Sequence, residues 1–196
     1  AASDVYKRQY LDSDNDGICY RTYPGTHPEK GAYFTRGTSH DEYARYTEDG
    51  NINAQTLTRL MRKFRTATDL VPEPIIEING EDSCGVIYYG SSKPAVLEAK
   101  DILKTKNINL DLMQIRSFPF NLDVWEFIAN HDRIYVVEQN RDSQMRTLIM
   151  AEGGISAEIL RPLVHFTGDP IEASYIVNKI SEREVNYKSH KNIKER

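Results

Sequence analysis

Short apolar runs alternate with amphipathic segments in the part of the chain that follows Pro74, and this alternation constrains the fold more than any other feature. The runs of strand length are 85–89, 110–115, 133–137 and 159–166. The segments with helical periodicity are 93–106, 121–130, 144–150 and 170–180. Strands separated by helices predict βαβ units, so we expect an α/β fold with a parallel sheet covered by helices.

The apolar positions of these segments predict which helix faces contact the sheet. In segment 121–130 we expect Leu122, Trp125, Phe127 and Ile128 to point inward. The residues from Ser181 onward are charged, and we expect them to fray rather than pack.

The first third of the chain has a different texture. Residues 10–50 are rich in Gly, Tyr, Thr and acidic residues and contain few aliphatic ones, so they cannot form a core alone. A helix is predicted over 51–68, with a linker at 69–74 where two prolines interrupt the pattern. Residues 1–9 join no pattern, and we interpret them as a non-native sequence scar.

The stretch YLDSDNDGICYR, residues 10–21, resembles a calcium-binding EF-hand loop. Asp12, Asp14 and Asp16 occupy the first, third and fifth positions, and Gly17 the sixth. The twelfth position should carry a bidentate Glu, but it is Tyr23. We therefore interpret this stretch as a polar loop that enters a short strand at residues 18–23.

Composition excludes several classes of function. The net charge of -4 gives no reason to expect nucleic acid or a membrane surface as a partner. Cys19 and Cys84 match no metal-binding or disulfide spacing and are expected to be reduced and buried. No apolar run is long enough to span a bilayer, so a cytoplasmic location is expected.

Ligands of open parallel sheets bind beyond the carboxyl ends of the strands, and two such ends carry polar clusters. At Gly90-Ser91-Ser92 the sequence favours Ser91 or Ser92 as a helix N-cap with Pro94 opening the helix; free N–H groups that hold a phosphate or carboxylate are the alternative. Residues 136–142 (VVEQNRD) form the second cluster, either a helix-capping or interface loop or a functional one.

Two further stretches have structural interpretations. Residues 116–120 (RSFPF) predict a packing corner or a subunit contact. Ser39-His40-Asp41-Glu42 could serve metal or acid/base chemistry, but adjacent residues cannot all point at one atom, so a loop is favoured. These patterns alone reveal no active site.

Four segments taken together carry a family resemblance: 16–50, 86–99, 112–120 and 136–148. In order and without large gaps, they resemble the C-terminal part of the alpha subunit of 2-oxoacid:ferredoxin oxidoreductases, the 2-oxoglutarate type in particular. The resemblance implies a transketolase C-terminal-like domain at 75–181, preceded by the tail end of a thiamine-diphosphate pyrimidine-binding domain at 10–68 and followed by a charged tail at 182–196.

The resemblance also implies an activity: coenzyme A-dependent oxidative decarboxylation of a 2-oxoacid, with electrons passed to ferredoxin. The complete complex would use thiamine diphosphate with Mg²⁺ and an iron–sulfur cluster, and its beta subunit would be the partner. No catalytic or metal-binding residue is expected in this chain, and the chain alone is expected to be inactive and to bind none of these cofactors.

The candidates for a subunit interface or a ligand wall are Arg36, His40, Gly90, Ser91, Ser92, Glu138 and Asn140. The alternative function is a non-catalytic α/β binding module that holds an anionic ligand at the Gly90-Ser91-Ser92 turn.

Overall fold

A computed structural model of the chain describes residues 8–29, 31, 37, 39–80 and 83–194, with side chains described up to residue 187. The chain divides into two compact units, residues 1–71 and residues 72–196. This division falls inside the segment 69–74 that the sequence marks as a linker. Residues 1–7 of the predicted scar lie outside the described residues. None of the described helices combines the length and the apolar character that a bilayer crossing requires.

The first unit has one long described helix, α1 (Gly50–Ala67), which Asp49 caps by accepting hydrogen bonds from the N–H groups of Asn51 and Ile52. The acidic loop lies against this helix. Gly17 has a φ of +86°, and a Cβ there would overlap the backbone of Lys63, so only glycine fits at this close approach.

The three aspartates of that loop contact protein groups. Asp12 accepts from the Gly17 N–H at 3.0 Å and from Arg62 Nη1 at 2.6 Å, Asp14 accepts from the Tyr20 hydroxyl, and Asp16 accepts from the Ile18 N–H at 2.7 Å. The strand predicted at residues 18–23 is wrong, because this segment has no ladder partner among the described residues and runs as irregular backbone. Cys19 is only partly buried, contrary to expectation.

The second unit contains five described strands and four described helices. The strands are β1 (Ile75–Glu77), β2 (Cys84–Tyr89), β3 (Leu110–Ile115), β4 (Ile134–Glu138) and β5 (Leu160–Val164). The helices are α2 (Lys93–Thr105), α3 (Leu122–Ala129), α4 (Gln144–Gly153) and α5 (Ala173–Lys194).

The strand order is β1-β3-β2-β4-β5. β2 pairs in parallel with both β3 and β4, β4 pairs in parallel with β5, and β1 is an antiparallel strand at the edge beside β3. The predicted α/β class with a parallel sheet is confirmed, and β1 is an addition that the sequence did not indicate.

Helices cover both faces of the sheet. On one face Val86, Leu112 and Val137 pack against α2 and α5, and on the other Ile87 and Val136 pack against α3 and α4. Period-two alternation along buried strands explains why each strand contributes to both clusters.

Helix α3 buries a different set of side chains from the one predicted. Val124, Phe127 and Ile128 face the sheet, and Trp125 is partly buried. Leu122 is 67% exposed, so its predicted inward position is wrong. It lies two residues before Val124, about 200° around the helix, and therefore faces away from the sheet.

The predicted frayed tail is also wrong over its described part. Helix α5 continues from Ala173 to Lys194. Ile176 and Ile180 pack on the core, and Glu184, which continues the same stripe one turn later, is 2% exposed. Its partners lie about fifty residues earlier in the sequence, so the local charge pattern gave no sign of this packing.

Candidate functional site

Five of the seven residues expected to form an interface or ligand wall lie at the carboxyl ends of two neighbouring strands. Gly90, Ser91 and Ser92 follow β2, Glu138 is the last residue of β4, and Asn140 lies two residues beyond it. After β2 the chain passes through α2 to β3 on one side, and it then crosses to β4 on the other side of β2. The carboxyl ends of β2 and β4 therefore flank the topological switch point, where open α/β sheets place their ligand crevice.

Gln139 joins the two strand ends. Its Nε2 donates to Ser91 Oγ at 3.0 Å and to Ser92 Oγ at 3.2 Å, and its Oε1 accepts from the Ile171 N–H at 3.3 Å. The residue belongs to the polar cluster at 136–142, but nothing in its type or spacing distinguished it there from its neighbours.

The predicted N-cap is wrong in its chemistry. Ser92 occupies the capping position of α2, but its backbone is already helical and its hydroxyl makes no capping hydrogen bond. A capping residue needs an extended backbone to direct its side chain at the first amides. Instead, one turn of 3₁₀ helix at Gly90–Ser92 leads into α2, and Gly90 has a φ of +57°.

Glu138 and Asn140 cap the N-terminus of helix α4. The Glu138 carboxylate is fully buried and accepts from the Met145 N–H at 2.7 Å and the Arg146 N–H at 2.9 Å, in the first turn of α4. Asn140 donates to this carboxylate at 2.8 Å and accepts from the Gln144 N–H at 3.2 Å. A carboxylate at a helix N-terminus satisfies amides that have no partner within the helix.

Tyr89 lies beside this cap. Its hydroxyl lies 3.4 Å from Asn140 Nδ2. Burial, reinforced by the nearby Glu138 carboxylate, raises the pKa of Tyr89 above its usual value of 10.0. The phenol is thus neutral at physiological pH, and the exposed part of the crevice, formed by Gly90, Ser91 and Gln139, presents neutral hydrogen-bonding groups.

The other two candidates belong to the first unit. Arg36 lies outside the described residues. The His40 ring stacks on Tyr10 with centroids 5.2 Å apart. Asp41 turns away to Arg45: burial acts to raise its pKa, but the hydrogen bonds from Arg45 and Tyr43 outweigh it and hold the pKa below its usual value. His40 and Asp41 therefore do not form an acid/base pair.

His40 also lines a groove of ≈ 450 Å³ within this unit, together with Asp12, Glu42, Arg59 and Arg62. Arg62 is paired with Asp12, and Arg59 donates to the Gly17 carbonyl at 2.8 Å. The groove thus combines charged groups of both signs with polar and apolar side chains.

The described residues do not fit a metal or an iron–sulfur cluster. No group of three or more His, Cys, Asp or Glu side chains among them could hold a metal ion. Burial raises the pKa of the Cys84 thiol to about 12, so it stays protonated and is a poor metal ligand.

Searches against known proteins give a consistent result. No protein-family model matches the chain. It is 28% identical over 176 residues to 2-oxoacid:ferredoxin oxidoreductase 2, subunit alpha, of Aeropyrum pernix, which covers 85% of this chain and 26% of that protein. It is 29% identical over 160 residues to the subunit alpha of 2-oxoacid:ferredoxin oxidoreductase 1 of Sulfurisphaera tokodaii, covering 79% and 24%. The chain thus spans about a quarter of the length of the curated relatives it matches.

A solved structure shares the fold. The 2-oxoglutarate:ferredoxin oxidoreductase of Magnetococcus marinus, determined with 2-oxoglutarate, coenzyme A and succinyl-CoA bound, matches with a TM-score of 0.74 at 22% identity. The match covers 90% of this chain and 30% of that one. The homologues of the chain are 2-oxoacid:ferredoxin oxidoreductase alpha subunits, which confirms the resemblance carried by the four segments.

Proposed function

We propose that this chain, whose homologues are 2-oxoacid:ferredoxin oxidoreductase alpha subunits, is part of the alpha subunit of such an enzyme. The observation that carries the proposal is the similarity to those subunits over 85% of the chain. The reaction would be the coenzyme A-dependent oxidative decarboxylation of a 2-oxoacid with electrons passed to ferredoxin, in the cytoplasm. The four segments favour 2-oxoglutarate as the substrate.

In this proposal the cofactors are held elsewhere in the complex. Thiamine diphosphate with Mg²⁺ would supply the carbanion chemistry of decarboxylation, and an iron–sulfur cluster would accept the electrons. Among the described residues, no group of three or more His, Cys, Asp or Glu side chains could hold a metal ion. The beta subunit is the proposed partner, and the 196-residue chain by itself is proposed to be inactive.

The chain's own contribution would be a wall at the subunit or ligand boundary. Gly90, Ser91 and Gln139 are exposed at the switch point, whereas Glu138 and Asn140 hold α4 in place behind them. The wall would act by hydrogen bonding and shape, since no nucleophile or base is positioned there.

The experiment is coexpression of the full-length alpha subunit with its beta subunit and an assay of viologen dye reduction. We expect reduction that requires both 2-oxoglutarate and coenzyme A and that is faster with 2-oxoglutarate than with pyruvate. The 196-residue chain assayed alone serves as the control and should give none. Absence of reduction with every 2-oxoacid tested would refute the proposal, and a preference for pyruvate would refute the substrate.

A second function is favoured by one observation: the N-terminus of α2 has no side-chain cap. A non-catalytic binding module could use those amides and the Gly90–Ser92 turn to hold an anionic ligand. A complex without activity, combined with phosphate-induced shifts of the Gly90, Ser91 and Ser92 amide resonances, would favour this module over the oxidoreductase.

A further inference from the structure

A buried charged network lies at the amino-terminal ends of the strands, opposite the switch point. Arg133, just before β4, donates through Nε to both carboxylate oxygens of Glu184 on α5, at 2.9 and 3.1 Å. The Tyr135 hydroxyl donates to the same carboxylate at 2.8 Å. Burial, together with the Glu184 charge, raises the pKa of Tyr135 well above its usual value. Both oxygens of the Glu184 carboxylate thus accept hydrogen bonds, from one arginine and one phenol.

Two more arginines stand beside this network. Arg161 pairs directly with Tyr135 in the β4–β5 register, and the guanidinium carbons of Arg161 and Arg183 each lie 5.8 Å from the centre of the Tyr135 ring. Arg161 donates to the Tyr135 hydroxyl at 3.4 Å, and Arg183 donates to the Pro162 carbonyl at 2.8 Å.

Neither of these guanidinium groups has a carboxylate partner among the described side chains. Among the described contacts, therefore, Arg133 pairs with the Glu184 carboxylate and the Arg161 and Arg183 guanidinium groups contact only neutral groups. The Arg161–Tyr135 and Arg183–Pro162 hydrogen bonds each occupy one of the five donors of a guanidinium, and both go to neutral acceptors.

A groove lies beside Arg161 and Arg183. Its volume is ≈ 480 Å³, and it is lined by Arg161, Pro162, Arg183, Asn186 and Tyr187. A volume of roughly 300–1,000 Å³ is typical of small-molecule sites. The described lining combines two cations with an amide and an aromatic ring, and no acidic side chain is among these five residues.

We propose that this groove binds the phosphate group of a small phosphorylated ligand, with Arg161 and Arg183 as the phosphate-binding side chains. The planar fork of a guanidinium matches phosphate oxygens in bidentate geometry, which favours phosphate over a single-point anion such as chloride. The groove lies at the opposite edge of the sheet from the switch point, so the site is separate from the one under Proposed function and does not depend on it.

The Arg133–Glu184 pair has a positioning role in this proposal. It fixes α5 against β4 by a bond between residues 51 apart in sequence, and α5 carries Arg183, Asn186 and Tyr187. A site assembled from a strand and a packed helix is held in a defined geometry before the ligand arrives, which reduces the entropic cost of binding.

The test uses the full 196-residue chain, titrated with inorganic pyrophosphate and, in a second arm, with ATP, by isothermal titration calorimetry at low ionic strength. The wild type should bind pyrophosphate saturably. The Arg161→Gln/Arg183→Gln variant should bind roughly tenfold more weakly or worse, because two charge-assisted contacts are lost. Tighter binding of ATP than of pyrophosphate would show that Asn186 or Tyr187 contacts the nucleoside.

The matched control is Arg116→Gln/Arg141→Gln, which removes the same charge from exposed arginines at the carboxyl edge of the sheet. It should bind like the wild type. Equal weakening in both double variants would mean that net charge alone attracts the ligand and would overturn the proposal. So would the absence of saturable binding to the wild type.

Because the Arg161→Gln/Arg183→Gln variant could be unstable, the wild type provides an independent readout. Pyrophosphate should shift the side-chain Nε–H resonances of Arg161 and Arg183 more than those of Arg116 and Arg141. Shifts confined to the Gly90–Ser92 amides instead would place the anion at the switch point and would equally overturn the groove as its site.

Discussion

Replacing Glu184 by Gln tests whether helix α5 packs along its described length. The carboxylate is 2% exposed and binds Arg133 and Tyr135. In the Gln variant the Arg133 guanidinium, whose side chain is 9% exposed, loses the countercharge that Glu184 supplies. Loss of one member of a buried ion pair costs about 3–5 kcal/mol of the free energy of unfolding. An amide oxygen can still accept one hydrogen bond, so we expect a loss near the lower end, about 3 kcal/mol.

Urea denaturation of the 196-residue chain, followed by tryptophan fluorescence, measures this loss. The single tryptophan, Trp125, lies in the unit that contains Glu184 and reports its unfolding. Glu182→Gln is the matched control: Glu182 is exposed on the same helix, and its substitution should change the free energy of unfolding by less than about 0.5 kcal/mol.

The double variant Arg133→Met/Glu184→Met separates charge from packing. Replacing both members of a buried ion pair by apolar side chains of similar volume is often nearly neutral, so it should recover most of the stability that Glu184→Gln loses. If Glu184→Gln is no more destabilising than Glu182→Gln, the pair does not hold α5, and residues beyond Ser181 fray as their charge pattern indicates.

Two further predictions concern buried groups of the second unit. Glu138→Gln should destabilise the unit by about 2 kcal/mol, because α4 loses a charged acceptor at its first amides. In the same urea titration, Glu126→Gln at an exposed position should have little effect. Equal effects of the two substitutions would contradict the capping role of Glu138. Burial raises the pKa of Cys84 from 9.0 to about 12, so the contribution of the protonated thiol to the free energy of unfolding is fully present below pH 9. This contribution is lost as the pH rises to 12, by as much as about 4 kcal/mol. The urea midpoint should therefore fall above pH 9, and it should fall less steeply in Cys84→Ala.

The strands could be predicted from the sequence because each central strand is buried on both faces. Segment 85–89 is a continuous apolar run and segment 110–115 is mainly apolar, and they appear as β2 and β3 within one residue. The edge strand β1 escaped prediction because it has three residues, all exposed, between a proline-rich stretch and Asn79-Gly80. Its position is set by antiparallel pairing with β3, which no local pattern encodes.

The side-chain contacts of the candidate site escaped prediction for a different reason. The polar residues that follow β2 and β4 could be identified from the sequence, since polar residues after buried strands are visible in one dimension. The sequence could not say what each side chain binds. Ser92 was expected to cap a helix but accepts from Gln139, and Glu138 was offered as a wall residue but caps α4. Partner choice depends on backbone dihedrals and on side chains about fifty residues apart.

These pairings determine which substitutions can separate function from stability at the switch point. Glu138 and Asn140 cannot be replaced without disturbing α4, so a loss of activity in such variants would say nothing about a ligand wall. Gln139 is exposed, and its bonds to Ser91 and Ser92 tie β4 to β2 without supporting a helix amide of α4. Its replacement would therefore alter a wall at these strand ends while leaving the cap of α4 intact, and it would remove the hydrogen bonds to Ser91, Ser92 and the Ile171 N–H.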